Sequence, residues 1–335
     1  MGNGCEANID SAKAWTEIDD DLGPYDADIA EEVRRSRIAF AVGDIRRASY
    51  WQIPEGVDVI EDIPYLDDGI RGHLLDVYLP HDAVVRDGHA LPVIIDIHGG
   101  GFMYGYKDLN RNFCTHLAAL GFAVFSVSYR LFPNADVLGQ IQDVMASFAW
   151  IQSHLDEYPV NSKTVFVAGD SAGGALALFS MICNSDVDFA QQCGVERTGI
   201  ALRGGILISS LTDLHARVET RRSTLGVQTG DKFSTGMFGR LMQACGEDAL
   251  TVRSLASKEC LPPLFLCTSS DDFIQEHTLR FAAELARAGA KFELHDWATY
   301  PGQTLGHVFP VNMSWLPESV TMLDCMRRFC YGQLN

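Results

Sequence analysis

Positive charge is in short supply: 26 Lys and Arg stand against 44 Asp and Glu, a formal net charge of −18 at pH 7. A field of that sign repels phosphate backbones and anionic lipid. It argues against nucleic acid and membrane surfaces as partners and makes strongly anionic substrates unfavourable. Long apolar runs are missing too, and none reaches the length needed to span a bilayer. The start, Met1-Gly2-Asn3-Gly4-Cys5-Glu6, has neither a basic nor an apolar stretch, so no signal peptide is expected. Glu6 stands where N-myristoylation of Gly2 would want Ser or Thr. No C-x-x-C occurs, and the nine cysteines are odd in number, several inside apolar runs such as Leu264-Phe265-Leu266-Cys267. That usage fits reduced core thiols of a cytoplasmic protein, not a disulfide framework or a zinc site. No H-E-x-x-H, P-loop or dinucleotide fingerprint is present, so neither a metal nor a cofactor is expected. Internal repeats and low-complexity segments are absent as well.

What is there is an ordinary globular balance, 47% hydrophobic in a chain of 335 residues, enough for one large α/β domain or two. Residues 1–32 are acidic, with Lys13 their single base, and read as a solvated segment. Short helical pieces are expected around Ala27–Ala41, with Ile29, Val33 and Ile38 as an apolar stripe; such a segment can lie over an active site as part of a lid. Residues 57–63 and 73–79 read as strands of an antiparallel hairpin around Asp67-Asp68-Gly69. From Leu91 onward strands alternate with helices. Strands are expected at 91–97, 122–129, 165–168, 205–209, 264–267 and 291–295. Helices are expected at 109–120, 141–155 (Val144, Phe148, Ile151 inward), 172–183, 279–288 (Phe281, Leu285, Ala288 inward) and 319–331. This rhythm implies a mostly parallel central sheet covered by helices on both faces. About residues 211–254 break it, with Met237, Phe238, Leu241 and Met242 at helical spacing, and read as a helical insertion forming a second piece of lid.

The chemistry centres on Val165-Phe166-Val167-Ala168-Gly169-Asp170-Ser171-Ala172-Gly173-Gly174. An apolar strand turns at once into a helix, with Gly169-x-Ser171-x-Gly173 between. Only very small neighbours let strand and helix pass so closely, and the arrangement holds Ser171 up on a strained turn, the nucleophile-elbow pattern. A serine hydroxyl needs a base, an orienting carboxylate and donors for an oxyanion. His98-Gly99-Gly100-Gly101-Phe102 after a strand end supplies a glycine loop that bares backbone N–H groups; Ala172 N–H, next to the nucleophile, is the complementary donor. Of ten histidines, His307 lies where the base is expected, after the last strand. His295 suits strand packing, His277 an exposed position before a helix, and His98 a role in fixing the glycine loop. The acid is Asp271 or Asp272, with the other exposed to solvent. Phe102, Tyr104 and Tyr106 follow the glycine loop and are candidates for lining the acyl or alcohol pocket.

On these residues the chain resembles the hormone-sensitive-lipase-like family of α/β-hydrolase carboxylesterases, over about residues 55–335. Its signals are His98-Gly99-Gly100-Gly101 and Gly169-Asp170-Ser171-Ala172-Gly173-Gly174. To these are added Tyr129-Arg130-Leu131-Phe132-Pro133, Asp143, Trp150 and Leu261-Pro262-Pro263-Leu264. Asp272-Phe273-Ile274 aligns with the family's acid motif, whereas Asp271 aligns with a variant subgroup. The resemblance therefore implies Ser171, Asp272 and His307 as triad, and Gly100, Gly101 and Ala172 as oxyanion donors. It also implies a cap built from residues 1–55 and the 211–254 insertion on a hydrolase domain of residues 56–335. Asn134 replaces the family's Glu, and Val308 the glycine of Gly-His-Gly-Phe. The implied activity is hydrolysis of short- to medium-chain carboxylic esters through an acyl-enzyme on Ser171. An amide or formamide hydrolase, or a non-catalytic small-molecule binder on the same scaffold, is the alternative. The expected partner is a small-molecule ester, and homodimerisation is left open.

Overall fold

The computed structural model describes residues 21–81, 90–215 and 232–334. Within them, strands β1 (Val57–Pro64), β2 (Leu74–Pro80), β3 (Leu91–Ile97), β4 (Ala123–Val127), β5 (Val160–Asp170), β6 (Leu202–Ile208), β7 (Leu264–Ser269) and β8 (Phe292–Trp297) form one sheet. Their order across it is β1-β2-β4-β3-β5-β6-β7-β8. Strand β2 runs antiparallel to both its neighbours, and every later pairing is parallel. The helices are α1 (Ala27–Ala48), α2 (Arg111–Ala119), α3 (Val137–His154), α4 (Ser171–Ser185), α5 (Val187–Cys193), α6 (Lys232–Cys245), α7 (Val252–Ala256), α8 (Gln275–Ala288), α9 (Phe309–Asn312) and α10 (Pro317–Gly332).

The central strands read as continuous apolar runs because both sheet faces are covered. Side chains alternate between two cores, as the period of a strand requires. Val93, Ile95, Val165 and Val167 face the core shared with α3, α4 and α8. Ile94, Phe166, Ala168 and Phe265 face the one shared with α2 and α10. From β3 the chain steps to β4 on one side, then crosses to β5 on the other. The C-terminal ends of β3 and β5 therefore flank the point where the winding reverses, the usual ligand position in such sheets. Ile97 of β3 pairs with Gly169 of β5 there.

The hairpin, the alternation and the inward faces of α3 appear as expected, with boundaries moved by a few residues. Helix α3 starts at Val137 because Asp136 caps it, accepting a 2.9 Å bond from Gly139 N–H. Three details differ. Ala288 is exposed, and Ala282 joins Phe281 and Leu285 inward on α8. Residues 27–48 form one 22-residue helix in place of short pieces. Its buried stripe is Ala30, Val33, Arg37, Ala41, Asp44 and Ala48, while Ile38 is 47% exposed. Residues 1–20, which hold most of the acidic segment, and 216–231 of the insertion lie outside the described residues. The remainder of the insertion is helical, with Met237, Phe238 and Leu241 buried. No helix among the described residues is long and apolar enough to cross a membrane.

Candidate active site

Strand β5 ends at Asp170 and α4 begins at Ser171, whose φ of +52° puts a non-glycine residue in the left-handed region. Such a conformation costs on the order of 1–3 kcal/mol and persists only where the surroundings impose it. Here they do. A Cβ on Gly169 would collide with the Gly173 carbonyl, one on Gly173 with the carbonyls of Ile97 and His98, and one on Gly174 with the Ser210 hydroxyl. Gly174 thus shares the spacing role that the sequence assigns to Gly169 and Gly173.

Ser171 Oγ lies 2.9 Å from His307 Nε2, and His307 Nδ1 lies 2.9 Å from Asp272 Oδ1. The chain of contacts joins the end of β5, the loop after β8 and the turn after β7. Asp272 is buried and also accepts the N–H of Ile274 at 3.0 Å. Burial alone would raise its carboxyl pKa; the hydrogen bond and charge of His307 outweigh that and hold it below the usual carboxylate range. Asp271 points elsewhere. It is exposed, yet it accepts the N–H groups of Gly306 at 2.9 Å and Leu305 at 3.0 Å and the Ser269 hydroxyl at 2.9 Å. The neighbouring carboxylate is therefore a clamp on the histidine loop and not an idle surface group. In that loop Val308 has a φ of +50°, although it is β-branched, and its N–H donates to Ser209 Oγ at 3.2 Å.

Gly100 and Gly101 adopt φ values of +100° and +62°, which a side chain would resist. The Gly100 carbonyl accepts from Met103 and Tyr104 N–H, closing the turn at 3.2 and 3.1 Å. Ala172 is near the N-terminus of α4, where N–H groups have no intrahelical acceptor. His98 is buried beneath the loop, stacked on Tyr129 at 4.3 Å, with Nδ1 2.8 Å from the Gly99 carbonyl. Burial drives its pKa down to about 4, so it is neutral and holds the loop. His295 stacks on Phe265, as strand packing requires. His277 lies inside α8, half-buried, where its carbonyl accepts the Thr212 hydroxyl; the expectation of an exposed position does not hold.

Several residues of the site escaped sequence reading. Asp170 accepts the Gly99 N–H at 3.1 Å and Asn110 Nδ2 at 2.8 Å, and the same amide reaches Asp96 Oδ1 and Oδ2 at 3.2 Å. Burial pushes Asp96 up to about 7, helped by the Asp170 charge, and Asp170 up to about 6. A cavity of about 240 Å³ opens over this floor, walled by Gly100, Gly101, Ser171, His307 and Tyr104. Phe40, Asp44 and Arg47 of α1 form another of its walls. Phe102 is not in it. Its φ is +69°, it is 2% exposed, and it packs edge-on against Phe238 in the main core, so it does not line the pocket. Tyr106 is buried under the Arg71 guanidinium, 4.0 Å from its ring centre.

Helix α1 is fastened to the glycine loop. Arg37, 2% exposed, donates to the Met103 carbonyl at 2.7 Å and the Phe132 carbonyl at 3.2 Å, and pairs with Asp21 at 2.6 Å. Asn134 donates to the same Asp21 at 2.6 Å and accepts from Tyr25 at 2.7 Å. The Glu that the resembled family carries there would meet Asp21 as a like charge, whereas Asn134 donates to it.

A sheet of this winding with a serine at the β5–α4 turn defines an α/β hydrolase. The chain belongs to the α/β-hydrolase fold family, in its hormone-sensitive-lipase-like branch, whose model matches residues 94–309. Esterase LipI of Mycobacterium tuberculosis is 27% identical over 217 residues, 64% of this chain and 65% of that protein. Lipase 2 of a Moraxella strain is 40% identical over 81 residues, 24% of this chain and 19% of the relative. The chain thus spans less than two thirds of the length of these curated relatives. Among solved structures, esterase B from Lactobacillus rhamnosis matches with a TM-score of 0.80 and 27% identity, covering 91% of this chain and 95% of that one. A form of it inhibited by a tributyrin phosphonate matches equally, with a TM-score of 0.80 and 27% identity over 92% of this chain and 96% of that one.

Proposed function

We propose that this protein is a serine carboxylesterase acting on short- to medium-chain carboxylic esters. The observation that carries the reading is the unbroken run from Ser171 Oγ through His307 to Asp272, with both contacts at 2.9 Å. In this reading Ser171 Oγ attacks the ester carbonyl carbon and His307 Nε2 takes its proton. The carbonyl oxygen becomes an oxyanion that accepts from the N–H groups of Gly100, Gly101 and Ala172. His307 returns the proton to the departing alkoxide, leaving an acyl group on Ser171. Water, deprotonated by the same imidazole, then releases the acid and restores the serine. Asp272 keeps Nδ1 protonated and stabilises the imidazolium. The likeness to an esterase inhibited by a tributyrin phosphonate supports this course. So does the cavity, about 240 Å³ and below the roughly 300–1,000 Å³ of sites for drug-sized ligands. Tyr104 is a pocket residue in this reading, and α1 with the 232–256 helices forms the cap.

Ser171→Ala should lower hydrolysis of 4-nitrophenyl butyrate by about 10⁴-fold or more, with an unchanged circular dichroism spectrum. Turnover near that of the natural chain would defeat the reading.

A further inference from the structure

The cavity holds an ion pair that the proposed reaction does not use. Asp44 and Arg47, one turn apart on α1, line the same space as Ser171, Gly100 and Gly101. Arg47 Nη1 donates to Asp44 Oδ1 at 3.0 Å. Asp44 is 6% exposed and lies beside Tyr104, which lines the same cavity. Burial raises the Asp44 carboxyl pKa, and the Arg47 charge opposes that. The Arg47 side chain remains 40% accessible. A guanidinium carries five N–H donors in a planar fork, and the bond to Asp44 takes one of them. Holding the helix in place does not need Arg47, because Arg37 already fastens α1 to the carbonyls of Met103 and Phe132. The nearby wall is apolar, with Phe40, Leu109 and Phe273. A donor fork in such surroundings is a recognition element for an acceptor oxygen. Tyr104, which lies beside Asp44, donates its N–H to the Gly100 carbonyl at 3.1 Å and so joins this wall to the glycine loop.

We propose that Arg47 binds a second oxygen of the substrate, a carbonyl or carboxylate oxygen several bonds from the scissile ester, so that keto-esters and diesters are favoured over plain alkyl esters. The inference rests on the esterase reading. Asp44 and Asp170 both line the cavity and the chain is strongly acidic, which favours a neutral carbonyl over a carboxylate.

The test compares matched esters. On the acyl side these are 4-nitrophenyl pentanoate, 4-nitrophenyl 4-oxopentanoate and 4-nitrophenyl hemisuccinate. On the alcohol side they are pentyl butyrate and 4-oxopentyl butyrate. Each kcat/KM is divided by the rate of hydroxide hydrolysis. In one of the two series the ketone should exceed the plain ester by about tenfold, the worth of one charge-assisted hydrogen bond. The ratio should fall to within about twofold of unity in Arg47→Met. If that variant does not fold, Arg47→Lys, which keeps the charge beside Asp44 but loses the fork, should lower the ratio at least about threefold. The hemisuccinate separates the two oxygen sources: a rate above that of the ketone makes the carboxylate the preferred one. Ratios within twofold of unity in both series for the natural chain, or a preference that survives in Arg47→Met, overturn the inference while leaving the esterase reading intact. A protein that turns over none of these esters removes the esterase reading and this inference with it.

Discussion

The cavity has two walls built on opposite principles. On the side of the elbow and the glycine loop, space is made by leaving side chains out. Gly169, Gly173 and Gly174 let β5, α4 and the end of β3 meet backbone to backbone, and Gly100 and Gly101 bare their N–H groups. On the side of α1, space is filled with charge. Arg37 reaches two carbonyls and a carboxylate, and Arg47 with Asp44 forms the facing surface. The first wall is made of main chain and would treat any carbonyl alike. The second is made of side chains, which can differ between relatives without touching the reaction. In the reading proposed above, reaction and selection fall to separate pieces of one small pocket.

The largest test of that division lies in two adjacent carboxylates on the reacting side. Asp272→Asn should lower kcat by about 10⁴-fold, because the imidazole loses the partner that fixes its tautomer. Asp271→Asn should lower it by only about 10–100-fold, through a looser His307 loop. Equal losses measured with one nitrophenyl ester would erase the distinction between partner and clamp. On the α1 side, Arg37→Met leaves Asp21 with only its Asn134 donor and deprives the Met103 and Phe132 carbonyls of theirs, so chemical denaturation should report a loss of about 3 kcal/mol. Activity should suffer less than in Asp272→Asn; the reverse order would mean that α1 takes part in the reaction itself.

The smallest effect concerns the floor. A carboxyl whose pKa is higher folded than unfolded binds its proton more tightly in the folded chain. Its contribution to stability is complete below about pH 4 and is lost as the pH rises to the folded value. That value is about 7 for Asp96 and about 6 for Asp170. The melting temperature of the natural chain should therefore fall between pH 4 and 7 more steeply than that of Asp96→Asn, measured by calorimetry in buffers of constant ionic strength. Parallel curves would show that Asp96 has no such role.

How far the site could be read beforehand follows the same division. Close backbone approach demands glycine, and glycine at fixed spacing is visible in a string of letters. The elbow, the glycine loop and the order serine, acid, histidine could be read for that reason. The sheet could be read because buried parallel strands are continuous apolar runs. The α1 wall was hidden. Arg34, Arg35 and Arg37 look alike in sequence, yet only Arg37 falls on the buried stripe, and Asp44–Arg47 looks like a solvated pair at helical spacing. Asp96 did leave a trace, a charge inside Val93-Ile94-Ile95-Asp96-Ile97, but its partner Asn110 is brought in by a separate turn. Proximity to the loop in sequence does not reveal the way a left-handed residue turns the chain, and Phe102, at φ +69°, turns into the core.

The bonds of Arg37 also tie an early part of the chain to residues made much later. Synthesis produces α1 before its two carbonyl acceptors, since Met103 and Phe132 come 66 and 95 residues later. Contacts this distant in sequence carry a loop-closure cost in entropy before they contribute. Until Phe132 has been made, α1 lacks part of the seat that holds the wall carrying Arg47. The wall that faces the serine is thus tied to the sheet by residues far from it in sequence, and a change at Met103 or Phe132 reaches the pocket through Arg37.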